Sequence, residues 1–149
     1  IKTYGGGGEA GELFPLLVEA LTELQSRPPT DAERVSAQFV WRFLALSGTG
    51  PDLEHCACTG EFLSESAPIY YSQRDHGFCN AAHAHEAMPV WQPGAVAYLR
   101  HTAGLSLSDS LKPLPPQGAL VRIKRVLYEI LQEHVESPIN TLRTGSGIL

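Results

Sequence analysis

Pro51-Asp52-Leu53-Glu54-His55-Cys56-Ala57-Cys58-Thr59-Gly60-Glu61 is the stretch where a helical pattern breaks, and its reading decides the fold. It holds two of the three cysteines and no apolar repeat at helical spacing. On its N-terminal side, Leu13, Phe14, Leu16, Leu17, Val18, Ala20, Leu21 and Leu24 recur with the period of a helix over about Glu12 to Gln25. Pro15 suits the first turn of that helix, where its missing N–H is not needed. Arg27-Pro28-Pro29 stops it, and Thr30-Asp31-Ala32-Glu33 has the form of a capping box. The second helix then presents Val35, Phe39, Val40, Phe43, Leu44 and Leu46, and Gly48, Gly50 and Pro51 end it. On the C-terminal side, short apolar pieces around Phe62-Leu63, Pro68 to Ser72 and Gly77-Phe78-Cys79 predict a small, poorly cored β-ribbon. A third helix starts at Pro93 and runs to Gly104. A fourth covers about Gln117 to Val135, and the tail from Ser137 to Leu149 reads as extended. The expectation is a mainly α protein, a small helical bundle of about four main helices with a short β-ribbon insert at about residues 53–88.

The 149 residues suit one domain, and 43% hydrophobic residues exclude a disordered chain. Eleven Lys and Arg against 16 Asp and Glu give a net charge of -5, the wrong sign for a free-standing nucleic-acid binder. No apolar run approaches the ~20 residues that cross a bilayer. The Gly-rich residues 1–10 read as a flexible connection, and a start without Met reads as a piece of a longer chain. Gly5 to Gly8 lack the Lys-Ser/Thr of a phosphate loop. Three cysteines, an odd number, fit a reducing cytoplasm better than a disulfide scaffold.

Cys56, Cys58 and Cys79, with His83 and His85 following, form the most chemical-looking cluster. A structural zinc site takes four N/S ligands, commonly from two C-x-x-C turns, and the C-x-C spacing here departs from that. Zinc on Cys56, Cys58, Cys79 and His83 therefore stands beside a reading of three reduced cysteines packed as small hydrophobes, which the spacing favours. A zinc-dependent hydrolase or deaminase on Cys56, Cys79 and His83 is a rival function, but no H-E-x-x-H or H-x-E…P-C-x-x-C signature occurs. A thiol enzyme is disfavoured because His55 and Cys56, adjacent on an extended chain, point to opposite sides. Arg122, Lys124 and Arg125 are the one basic cluster, read either as a phosphate contact or as a solvated face paired with Glu129 and Glu133. Arg34, Phe39 and Arg42 sit on the second helix with Gln38 between them. They offer a groove for an acidic peptide with a terminal hydrophobe, or else core aromatics beside surface arginines.

Three features in chain order resemble the C-terminal part of the bacterial recombination mediator RecO, over about residues 4–145. They are the helix end Phe39-Val40-Trp41-Arg42-Phe43-Leu44-Ala45-Leu46-Ser47-Gly48, then the Pro51–Glu61 segment with a ribbon closing at Gly77-Phe78-Cys79. Last comes a terminal helix leading to Ser137-Pro138-Ile139-Asn140-Thr141-Leu142-Arg143. The resemblance implies a helical domain, residues 11–149, with a zinc-ribbon-like insert, preceded in the family by an OB-fold that is missing here. Zinc-bearing members have two Cys-x-x-Cys pairs in the insert. Cys56 and Cys79 match two of those positions, whereas Thr59 and Ala82 stand at the other two, which implies a ribbon without its metal. It further implies a non-enzymatic cytoplasmic repair protein that binds the acidic, Phe-ending tail of single-stranded-DNA-binding protein, RecR and DNA. Such proteins promote strand annealing and RecA loading, with DNA contacted mainly through the OB-fold. A scaffold that never meets DNA is the other rival.

Overall fold

A computed structural model describes residues 7–85 and 87–146, with side chains over 11–85 and 87–136. Helix α1 (Gly7–Ser26) packs on α2 (Ala32–Leu46), and α2 packs in turn on the long α5 (Ala119–Ser146). Between α2 and α5 the chain forms β1 (Ile69–Ser72), β2 (Gly77–Cys79), β3 (Val90–Trp91), α3 (Pro93–Ala103) and the single turn α4 (Leu107–Ser110). The three strands make one antiparallel sheet in the order β2-β1-β3, with Tyr71 opposite Phe78 and Ile69 opposite Trp91. The protein is mainly α with a small ribbon, as the broken helical pattern implies.

The buried stripe of α5, Ala119, Ile123, Val126, Leu127 and Ile130, repeats at helical spacing and faces Val40 and Leu44 of α2. Ile69, Tyr71, Phe78, Cys79 and Trp91 of the sheet belong to the same core, so the ribbon is not the poorly cored appendage the sequence implied. Its strands are short because each needs to bury only one or two large side chains. Phe78 and Trp91 are fully buried with ring centroids 4.5 Å apart, and the Trp91 indole donates to the Arg122 carbonyl at 2.9 Å. Burying each such ring stabilises the fold by about 1.5–3 kcal/mol. A second, smaller core gathers Leu16 and Ala20 of α1, Val35 of α2, and Leu107 and Leu111 beside α4, with Phe39 packed against both cores.

Several boundaries differ from the sequence reading. The connection expected over residues 1–10 lies partly outside the described residues, and from Gly7 the backbone is already helical. Pro15 is therefore inside α1, not in its first turn. Its side chain is exposed, and the carbonyl it faces one turn earlier belongs to Gly11, which adds no side chain to the crowding. No capping box forms at Thr30. A 3-10 turn, Pro29–Asp31, leads into α2, and no side chain caps that helix. Asp31 instead lies 3.5 Å from both Arg27 and Arg34, which draws its carboxylate off the backbone. The tail read as extended from Ser137 continues α5 to Ser146. Pro138 deletes one backbone bond, and a helix already propagating from Ala119 carries across a single missing bond.

Phe78→Ala is expected to lower unfolding free energy by about 3–5 kcal/mol. Phe62→Ala, at a side chain 77% exposed, should change it by no more than about 0.5 kcal/mol. Urea denaturation of both variants tests whether the ribbon belongs to the main core, and equal effects would contradict it.

Candidate functional site

The cysteine cluster is built by a turn and a hairpin. Gly60 at φ +82 closes the turn after Cys56, with its N–H donating to the Cys56 carbonyl at 2.8 Å. Ala57 N–H donates to the Phe78 carbonyl at 2.7 Å, which lays this turn on β2. Only glycine fits at position 77, because a Cβ there would sit 2.8 Å from the Ala57 Cβ. The three sulfurs consequently lie within 4.8 Å of one another. Cys58 and Cys79 are joined as a disulfide with Cα atoms 6.1 Å apart, and Cys56 is the free, buried thiol. The odd cysteine count thus resolves as one pair plus one thiol, which the reading of three reduced cysteines did not foresee. Cys58 is exposed, whereas Cys56 and Cys79 are buried.

Burial pushes the Cys56 thiol up. Hydrogen bonds from the Thr59 hydroxyl and the backbone N–H groups of Asn80, Cys58 and Thr59 outweigh this and hold it below its ordinary value. Asp75 Oδ2 lies 3.3 Å from Cys58 Sγ and accepts from the Ser72 hydroxyl at 2.8 Å. His83 lies on an exposed 3-10 turn, Ala81–His83, and is not part of the group of converging ligand atoms. Thus Cys56, Cys58 and Cys79 come together, while the four-ligand set with His83 and the hydrolase set of Cys56, Cys79 and His83 do not. Zinc takes thiolates, and two of these three sulfurs are bonded to each other, so the cluster as folded does not fit a four-coordinate zinc site.

Arg34, Phe39 and Arg42 are divided by the packing of α2. The Arg34 Nε donates to the Leu111 carbonyl at 3.2 Å. Arg42 donates to the carbonyls of Leu105 and Thr102 at 2.8 and 2.9 Å. Phe39 is half-buried between the two cores. Gln38, which the sequence placed between the arginines of a groove, is buried and donates to Tyr98 and Thr102. Arg42 lines a cavity of about 420 Å3 between α1 and α2, with Leu16, Ala45 and Leu46 as apolar wall and Glu12 and Glu19 at its edge. Burial pulls the Arg42 guanidinium below its ordinary value, and Glu19 and Tyr98 oppose that. The guanidinium stays charged at neutral pH.

Arg122 and Arg125, three residues apart on α5, are both exposed, and Lys124 is displaced from them. Lys124 lies 3.4 Å from Glu33 and over the Tyr128 ring, Arg125 lies 3.8 Å from Glu129, and Arg122 is exposed. Another cavity, about 390 Å3, lies where Tyr71, His76, Glu133 and His134 meet between the hairpin and α5. Three separate segments supply it, and no spacing in the sequence announces that meeting. Burial, with Glu133 and Glu129 nearby, raises the Tyr71 hydroxyl to about 12.

The protein is a helical domain with a cysteine-closed ribbon docked into its core. The family model for the C-terminal region of recombination protein O matches residues 6–143, and the chain belongs to that family. Membership places the chain in recombination and DNA repair of the RecO type. No curated protein matches the chain closely enough to count as a relative. Among the described residues, no helix is long and apolar enough to cross a membrane.

The Tyr71 environment sets an alkaline limit. A raised hydroxyl means that the folded state keeps its proton where the unfolded chain, at about 10, has lost it. Stability from this group is present below pH ~10 and falls as pH rises toward ~12. Urea denaturation at several pH values should show that loss in the wild type and a shallower one in Tyr71→Phe, and parallel curves would refute it.

Proposed function

We propose that the chain is the helical, partner-docking part of a RecO-type mediator. It binds the acidic tail of single-stranded-DNA-binding protein, RecR and DNA, and so promotes strand annealing and RecA loading. The observation that carries this reading is the family match over residues 6–143. In this reading the protein works in the cytoplasm by binding alone, without catalytic chemistry, and most of the DNA contact belongs to an OB-fold. Arg122, Lys124 and Arg125 add a subsidiary phosphate contact, for which Lys124 and Arg125 exchange their glutamate partners for phosphate.

The Arg42 cavity is the support for a tail-docking site. An apolar wall receives the terminal Phe side chain, and a cation receives a carboxylate. Arg34 and Phe39 act behind it, by holding the Leu111 carbonyl and filling the space between the cores. Glu12 and Glu19 oppose an acidic ligand at this edge. A fluorescent acidic peptide ending in Asp-Phe should bind the wild type and bind Arg42→Gln at least several-fold more weakly. Because Arg42 also holds two carbonyls, Glu19→Gln is the cleaner variant, and it should tighten binding about two- to fivefold. Absence of binding to the wild type, or no change with Glu19→Gln, sinks the docking site.

The cysteine cluster supports a ribbon that holds together without zinc. Protein prepared without reductant is then expected to contain well under one zinc per chain. After unfolding, iodoacetamide should label one cysteine before reduction and three after it, as read by intact mass. One zinc per chain, or three labels without reduction, contradicts the metal-free reading.

A further inference from the structure

We propose that Cys58 is a thiol-modification site opened by internal disulfide exchange, an inference that rests on the metal-free reading of the cysteine cluster. The Cys56 sulfur displaces Cys58 from Cys79, and Cys58 is left as an exposed thiol for a low-molecular-weight disulfide to modify. The cluster holds both reactants of that exchange side by side, a free thiol and a disulfide, with all three sulfurs within 4.8 Å of one another. A change of side-chain rotamer closes such a gap. The new bond would join segments that already run alongside each other. Ala57 N–H donates to the Phe78 carbonyl at 2.7 Å, and Asn80 N–H donates to the Cys56 sulfur, so both neighbours of Cys79 are tied to the Cys56 turn.

Burial sets the direction of attack. Attack on Cys79 expels Cys58, which is exposed, so the charge on the leaving sulfur develops in water. Attack on Cys58 would expel Cys79, which is fully buried, and a charge there costs far more. The Asp75 carboxylate, 3.3 Å from Cys58 Sγ, accepts a hydrogen bond from a thiol at that position, whereas a disulfide sulfur has no proton to offer. In the exchange, the Cys56 thiolate forms an S–S bond to Cys79 and the Cys58–Cys79 bond breaks. Cys58 takes up the proton that Cys56 gave to solvent, and no net oxidation occurs. A low-molecular-weight disulfide RSSR then reacts with the Cys58 thiolate to give Cys58–S–S–R and RS⁻, again without added oxidant.

The test is native labelling of protein prepared without reductant. Iodoacetamide at about pH 8, followed by acid digestion without reduction and peptide mapping, should place the label on Cys58 and find Cys56 linked to Cys79. Glutathione disulfide in place of iodoacetamide should add one glutathione, on Cys58. Cys56→Ser should keep the Cys58–Cys79 link and slow Cys58 labelling by at least about tenfold, because its nucleophile is gone. Cys58→Ser should still oxidise to a Cys56–Cys79 disulfide. An intact Cys58–Cys79 link in the labelled wild type, with the label on Cys56 or nowhere, overturns the exchange and leaves the metal-free reading standing. One zinc per chain, or three labels without reduction, overturns that reading and the exchange with it.

Discussion

The packing of Phe78 and Trp91 into the seam between α2 and α5 is the contact on which the rest depends. The two rings bring the hairpin and β3 onto the helices, so ribbon and bundle share one core. Removing that contact would leave a three-stranded ribbon of two to four residues per strand with nothing to bury its inner face, and such a ribbon is not stable alone. The cysteine turn follows from it as well. Ala57 reaches the Phe78 carbonyl, Gly77 leaves room for Ala57, and the sulfurs then converge.

The second organising element is a pair of arginines spaced eight residues apart on α2. Arg34 and Arg42 fall near the same side and hold carbonyls at the two ends of the segment around α4. The apolar side chains Leu107 and Leu111 then close the smaller core against α1. Gln38 between them ties α2 to α3 through Tyr98 and Thr102. These three polar residues make one seam, which is why the residues read as a ligand groove contribute mostly to architecture.

Helices and ribbon strands were legible in the sequence because each carries its own period. The apolar repeats of α2 and α5 and the pieces at Ile69–Ser72 and Gly77–Cys79 fall where the pattern puts them. Helix ends were less so, since the 3-10 turn Pro29–Asp31 moves the start of α2 past Thr30, the residue of the expected capping box. The depth of the ribbon was invisible because Phe78 and Trp91 look like isolated aromatics until α5 lies against them. In the site, the convergence of Cys56, Cys58 and Cys79 was legible from their clustering. Their pairing was not, because it depends on the close approach that Gly77 allows. Arg34 and Arg42 were placed correctly on one side of the helix, but spacing cannot say whether that side meets solvent or a neighbouring carbonyl.

The grip of Arg34 and Arg42 on carbonyl oxygens has a consequence for how the segment around α4 tolerates change. A carbonyl is common to every amino acid, so this clamp reads the path of the chain and ignores its letters. Exposed positions there, such as Asp109 and Lys112, are free to drift as long as Leu107 and Leu111 still fill their core and Ser106 still caps α4. The two arginines have no such freedom, because a lysine could not span two carbonyls with one planar head as Arg42 does.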